Sequence, residues 1–164
     1  MSLVIHYYKT PIGITKIIGD DTGIQSISII DDSKDIYPKS EISKGPKCLR
    51  DCITQLEEYF SGKRTEFDLK LNPKGTDFQK KVWKELLNIP FGKTRTYLEQ
   101  TKKIGDPKAI RAVASANGKN PLWIVIPCHR IIGSDGSLTG YAGGVWRKKW
   151  LLEHESPVKQ QTLF

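Results

Sequence analysis

Cysteine is scarce in this sequence, with three in 164 residues. That number is odd and too small for a disulfide framework, so a reducing cytoplasm is the expected setting. Cys48 and Cys52 lie one helical turn apart, but no second Cys or His pair stands near with ligand spacing. Structural zinc is therefore not expected, and both read as packing or surface residues. Long apolar runs are missing too. Stretches such as Leu122 to Pro127 fall far short of the about 20 residues that a membrane helix needs. Met1 to Lys9 has no basic leader, extended apolar core or cleavage site, and reads as mature protein. There are no internal repeats and no low-complexity tracts. With 38% apolar and 27% charged residues, the chain is not disordered, collagen-like or a simple coiled coil.

Charge is present in excess and is unevenly spread. Net charge is +8. Lys74 to Glu155 holds 15 basic and 7 acidic residues, and the remainder holds 11 of each. The excess therefore sits in the second half. A field of one sign suits a polyanion there, nucleic acid first and an acidic membrane surface second, although a solvated lysine-rich surface gives the same count.

Alternating β-branched and aromatic residues predict three antiparallel strands, at Val4 to Tyr8, Ile12 to Ile18 and Ile24 to Ile30. Asp31 to Gly45 reads as a polar surface loop. Pro46 opens a helix whose apolar face is Leu49, Ile53, Leu56 and Phe60, and Ser61-Gly62 ends it. A short strand over Phe67 to Leu71 is expected next. Asn72-Pro73-Lys74-Gly75 marks the boundary between a strand-and-helix supporting domain, 1–73, and a mostly helical domain, 74–164. The fold class is thus α/β of the α+β kind. In the second domain Thr76 caps a helix over Asp77 to Leu87, with Phe78, Val82, Trp83, Leu86 and Leu87 on one stripe. Thr96 caps a helix from Tyr97 to Ile104. Gly105-Asp106-Pro107 then turns into a helix over Lys108 to Asn117. Two short helices with Lys108 and Arg111 on the second resemble a helix-turn-helix, although many helical cores contain such a corner.

Ile124-Val-Ile-Pro127-Cys128-His129-Arg130 is the sharpest chemical feature. The thiolate, not the thiol, is the nucleophile, and a neighbouring base generates it. Sequence neighbours on a strand face opposite ways, so adjacency does not establish contact. A buried, inert thiol stays open on these residues alone.

Further motifs keep step with this one. They are Gly75-Thr-Asp-Phe-Gln79, Val82-Trp83, Ile89-Pro-Phe-Gly92-Lys-Thr94, Thr96-Tyr97, Ile104-Gly105, Arg111-Ala-Val113, Asn120-Pro121, Gly140-Tyr-Ala-Gly-Gly144 and Lys149-Trp-Leu-Leu-Glu-His-Glu155. In order and spacing they resemble the O6-alkylguanine-DNA alkyltransferases, also called methylated-DNA–protein-cysteine methyltransferases. The resemblance covers Gly75 to Glu155, and the first domain matches in general form.

That resemblance implies DNA repair by direct reversal. An O6-alkylguanine, with O4-alkylthymine as a second candidate, would be flipped from the duplex and would lose its alkyl group irreversibly to Cys128, once per molecule. His129 would deprotonate Cys128 through a water, with Glu155 behind the ring and Glu153 as a decoy. Tyr97 would protonate or hydrogen-bond the leaving guanine, and Asn120 would brace the turn before Cys128. Arg111 would enter the base stack, with Thr96, Lys108, Ala112 and Ser115 beside it on double-stranded DNA, in the minor groove. Tyr97, Trp123, Ile131, Tyr141 and Ala142 would surround the base. The protein would be a monomer with no cofactor, metal or membrane partner. This chain has Ala114-Ser115 where the family often has glycine, Thr101 for alanine, Ala142 for a serine of some members, and a bulky Trp123. Two other readings stay open on the residues. One is a DNA-binding protein that recognises lesions without transfer. The other is a cysteine hydrolase built on Cys128 and His129, for which no oxyanion loop is visible.

Overall fold

The structure, a computed structural model, describes residues 2–30 and 45–156. The loop expected over Asp31 to Gly45 lies outside the described residues except for Gly45. Packing divides the chain into two units, Met1–Lys74 with Pro121–Trp123, and Gly75–Asn120 with Ile124–Phe164. The return of Pro121–Trp123 has no signal in a segment-by-segment reading. It is held by backbone bonds, from Ile27 N–H to the Pro121 carbonyl (2.8 Å) and from Trp123 N–H to the Ile27 carbonyl (3.0 Å).

In the first unit β1 (Val4–Thr10), β2 (Gly13–Asp20) and β3 (Gly23–Ile30) form an antiparallel sheet in that order. Ile14, Ile17, Ile24 and Ile27 are buried, as are Leu49, Cys52, Ile53, Leu56 and Tyr59 of α1 (Lys47–Phe60). Each such side chain contributes about 1.5–3 kcal/mol by leaving water. Pro46 takes the N-cap position with extended backbone, one residue before the first turn where the sequence placed it.

The strand expected over Phe67 to Leu71 is reduced to a single parallel bridge between Ile24 and Leu71. Gln55 is the cause. Its side chain donates to the Asp68 carbonyl and accepts from the Asp68 N–H, both at 2.9 Å, so Asp68 is satisfied without a strand partner.

The second unit opens with α2 (Asp77–Leu86), where Thr76 and Gln79 form a capping box. Val82, Trp83 and Leu86 are buried, but Phe78 and Leu87 are 38% and 47% exposed, which narrows the expected stripe. They stand at the helix ends, and Leu87 is already its C-cap. A Cβ on Gly75 would meet the Trp83 ring at 2.5 Å, so only glycine fits there. The Trp83 indole N–H donates to the Ala116 carbonyl at 2.9 Å.

A two-residue strand β4 (Arg95–Thr96) leads into α3 (Tyr97–Ile104), capped by a second box of Thr96 and Glu99. Gly105 ends α3 at φ 120°, a left-handed corner that favours glycine. Asp106 accepts from Lys108 N–H, and Pro107–Ala109 form one 3-10 turn. The helix expected from Lys108 therefore starts later, as α4 (Ile110–Gly118). Gln100 and Asn117 are buried and exchange two amide hydrogen bonds of 2.7 Å, which lock α3 to α4. β5 (Ile131–Ile132) pairs in parallel with β4, and α5 (Val145–Glu155) completes the unit.

Candidate active site

The approach to Cys128 is strained. Ile124 is buried at φ 69°, an outlier for a β-branched residue that costs about 1–3 kcal/mol. Cys128 N–H then donates to the Ile126 carbonyl at 2.8 Å and Arg130 N–H to the Pro127 carbonyl at 3.0 Å. Cys128–Arg130 is thus a single 3-10 turn, not a strand, and the bend removes the alternation that made adjacency uninformative. Asn120 lies against this turn. Its amide donates to the Ile126 carbonyl at 2.7 Å and to Cys128 Sγ at 3.3 Å.

His129 is wholly buried, with Nε2 at 2.8 Å from Glu155 Oε2. Glu155 is the last residue of α5, and the candidate Glu153 is half-buried. Arg130 forks onto the same carboxylate, Nε to Oε1 at 2.7 Å and Nη2 to Oε2 at 3.0 Å, and its Nη1 donates to the Ile89 carbonyl at 2.6 Å. Burial alone would raise the Glu155 carboxyl, but His129 and Arg130 together hold it well below the usual carboxylate range. A carboxylate only accepts, so the imidazole hydrogen belongs on Nε2. In the neutral ring Nδ1 is left with a lone pair. That atom is buried and has no hydrogen-bond partner among the described residues.

Lys148, also on α5, is 1% exposed. Its ammonium donates to the Thr139 carbonyl at 3.1 Å and lies 5.9 Å over the Tyr97 ring. Burial lowers it to about 8, and the nearby Cys128 sulfur draws it back up. Burial likewise pushes the Cys128 thiol up, while the Asn120 hydrogen bond and the Lys148 charge pull it down. Burial and these neighbours thus act on the sulfur in opposite directions, and the sulfur is held beside the groups that favour its thiolate.

The second unit has a cavity of about 780 Å³, lined among others by Tyr97, Leu98, Ile110, Arg111, Thr139 and Ala142; it meets the cluster through Tyr97 and Thr139, which Lys148 touches, and Cys128 is not among the residues that line it. That volume falls within the range of small-molecule sites. The Tyr97 hydroxyl donates to the Thr139 carbonyl at 3.3 Å. Lys108, Arg111, Ala112 and Ser115 are exposed. Thr96 is half-buried, and its hydroxyl is engaged as the cap of α3.

Not every expected residue meets the others. Ile131 is wholly buried in β5, and Tyr141 is half-buried; neither is among the residues that line the cavity. Trp123 is buried and packs with the first unit. Among the described residues no cluster of His, Cys, Asp or Glu could hold a metal ion, and no helix is long and apolar enough to cross a membrane.

Two neighbours of these groups escaped the sequence reading, Arg130 on the Glu155 carboxylate and Lys148 near the thiol. Lys148 did leave a trace. Positions 148, 151, 152 and 155 follow the spacing of one buried helical face, and a lysine and a glutamate bracket Leu151 and Leu152 there.

Comparison with known proteins gives a consistent family. The family profile described as 6-O-methylguanine DNA methyltransferase, DNA binding domain, matches residues 77–157. That of the 6-O-methylguanine DNA methyltransferase, ribonuclease-like domain, matches residues 3–73. A methylated-DNA–protein-cysteine methyltransferase of Methanosarcina barkeri is 50% identical over 147 residues, 90% of this chain and 93% of that protein. A protein of the same name from Mycobacterium tuberculosis is 44% identical over 154 residues, 93% of each. The crystal structure of Mycobacterium tuberculosis OGT in complex with DNA is similar at a TM-score of 0.81, with 42% identity and 98% of each chain covered.

Proposed function

Because the chain belongs to the 6-O-methylguanine-DNA methyltransferase family, we propose that Cys128 is its alkyl acceptor. The protein is a suicide alkyltransferase that reverses damage directly, moving the alkyl group of an O6-alkylguanine onto an active-site cysteine. It carries a DNA-binding domain, residues 77–157. The assignment of roles rests on one observation above the rest, the buried Glu155–His129 pair at 2.8 Å with the thiol as the next residue in the same turn.

In this reading His129 Nδ1 takes the thiol proton through a water, and the Glu155 carboxylate stabilises the imidazolium that results. Asn120 and Lys148 hold the sulfur's negative charge. Cys128 Sγ attacks the alkyl carbon, the C–O6 bond breaks, and its electron pair stays on the guanine. The Tyr97 hydroxyl supplies a hydrogen bond or a proton to that leaving base. The product is a thioether, which has no easy route back to a thiol, so each molecule acts once. Ala142 offers no hydroxyl to O6, so Tyr97 and backbone groups are the donors in this chain.

On the DNA side α4 enters the minor groove as a monomer's single reading helix. Its exposed Ala112, Ala114 and Ser115 are small enough for close approach, and Arg111 at the cavity rim fills the gap left by the extruded base. The minor groove says little about sequence, which suits a lesion found anywhere. A reducing compartment, the cytoplasm, keeps Cys128 a thiol.

The test is transfer of labelled methyl from a duplex bearing O6-methylguanine. Wild type and Cys48→Ala should take up label equally, and Cys128→Ala should take up none. Uptake by Cys128→Ala at the wild-type yield would refute the assignment.

A further inference from the structure

Two large aliphatic side chains stand in water at the cavity. Leu98, the second residue of α3, is 41% exposed, and Ile110, the first residue of α4, is 37% exposed. Both line the cavity beside Tyr97 and Arg111. The internal packing of the two helices does not use them. α3 buries Gln100 and Thr101, and α4 buries Val113, Ala116 and Asn117. Partial exposure combined with lining puts Leu98 and Ile110 at the boundary between cavity and solvent.

A base extruded into the cavity leaves its sugar at that boundary, because the sugar stays tied to the strand through two phosphates. The sugar of the damaged nucleotide then packs against Leu98 and Ile110. We propose that these two residues form a rim selective for deoxyribose over ribose. A 2′-methylene is apolar and packs on aliphatic carbon. A 2′-hydroxyl in the same place loses water and finds no partner on either side chain, since neither has a donor or acceptor. The 2′-hydroxyl is the group by which a protein separates RNA from DNA at a given position. The rim therefore restricts transfer to DNA through the sugar of the lesion itself, apart from any contact to the rest of the duplex. This inference rests on the cavity receiving the extruded guanine.

The experiment compares transfer rates from three duplexes of identical sequence. The lesion nucleotide is O6-methyl-2′-deoxyguanosine, O6-methylguanosine, or the 2′-deoxy-2′-fluoro analogue, which takes the ribose pucker without a hydroxyl donor. Wild type should react with the ribonucleotide at least about tenfold more slowly than with the deoxynucleotide, as expected for burying an unpaired hydroxyl, and should treat the fluoro analogue like the deoxynucleotide. In Leu98→Gln/Ile110→Thr the ribo-to-deoxy gap should close to about threefold, because the rim now offers partners. Both positions are exposed, and a thermal melt identifies any variant that has lost its fold. In that case the single variant Ile110→Thr replaces it, with a partial closing of the gap expected.

Equal wild-type rates on ribo- and deoxynucleotide would overturn the rim while leaving the alkyltransferase reading intact. A fluoro analogue as slow as the ribonucleotide would assign the effect to pucker and also overturn it. An unchanged gap in the folded variants would do the same. Failure of wild type on all three substrates would overturn the rim and the cavity reading together.

Discussion

The Glu155 carboxylate accepts from Arg130 and pairs with His129 in a site where all three side chains are almost fully buried. Removing its charge leaves the Arg130 guanidinium uncompensated. Glu155→Gln should therefore lose about 3–5 kcal/mol in denaturant unfolding. The sign of its pH dependence follows from the depressed carboxyl. The folded form keeps the anion below the ordinary value of 4.5, so this stabilisation is fully present above that value and is lost as pH falls through the folded pKa. Wild type should weaken on acidification below about pH 4.5 more steeply than Glu155→Gln. Parallel acid profiles would contradict the pairing.

Lys148 gives the opposite test, in alkali. Its folded value of about 8 lies below the ordinary 10.5, so the unfolded chain binds more protons between the two. Stability should rise with pH across that window, and Lys148→Met should abolish the rise. The same variant removes a positive charge from beside the sulfur. Its pH–rate profile should move to higher pH by about one unit, a tenfold loss of thiolate near neutrality. An unmoved profile would show that Lys148 does not act on the thiol.

Between α3 and α4 the decisive contact is the reciprocal amide pair of Gln100 and Asn117. Replacing one partner strands the other in a buried site, whereas replacing both removes the problem. Gln100→Leu alone should cost about 1–3 kcal/mol, and Gln100→Leu with Asn117→Met should recover most of it. Additive losses in the double variant would show that the two side chains do not work as a pair. This pair also shows where sequence reading stops. The strands, α1 and the two capped helices were legible because period, cap and corner are local patterns. Gln55 satisfying Asp68 across 13 positions is not local, and it removed an expected strand. In the candidate site, the motif set pointed to Cys128, His129 and Glu155, whereas the 3-10 turn that carries the first two has no local pattern of its own. Lys148 was hidden inside a run of three basic residues that reads as surface charge.

Across the whole chain, the basic excess lies between Lys74 and Glu155, the stretch that holds both the cavity and the exposed face of α4. Binding to duplex should accordingly weaken linearly in log affinity against log salt. Lys108→Ala should flatten that slope by about 0.9, the release of one counterion, and an unchanged slope would remove Lys108 from the phosphate contacts. A basic surface attracts any duplex, however, and only the sulfur distinguishes repair from binding. The most direct measurement is intact mass before and after mixing with excess duplex containing O6-methylguanine, followed by peptide mapping. The account predicts that each protein molecule gains a single methyl group in place of one hydrogen, located on the peptide that contains Cys128, and that a second addition of duplex produces nothing more. An unmodified Cys128 in protein that has bound the damaged duplex, or a methyl found on Cys48 or Cys52 instead, would contradict it.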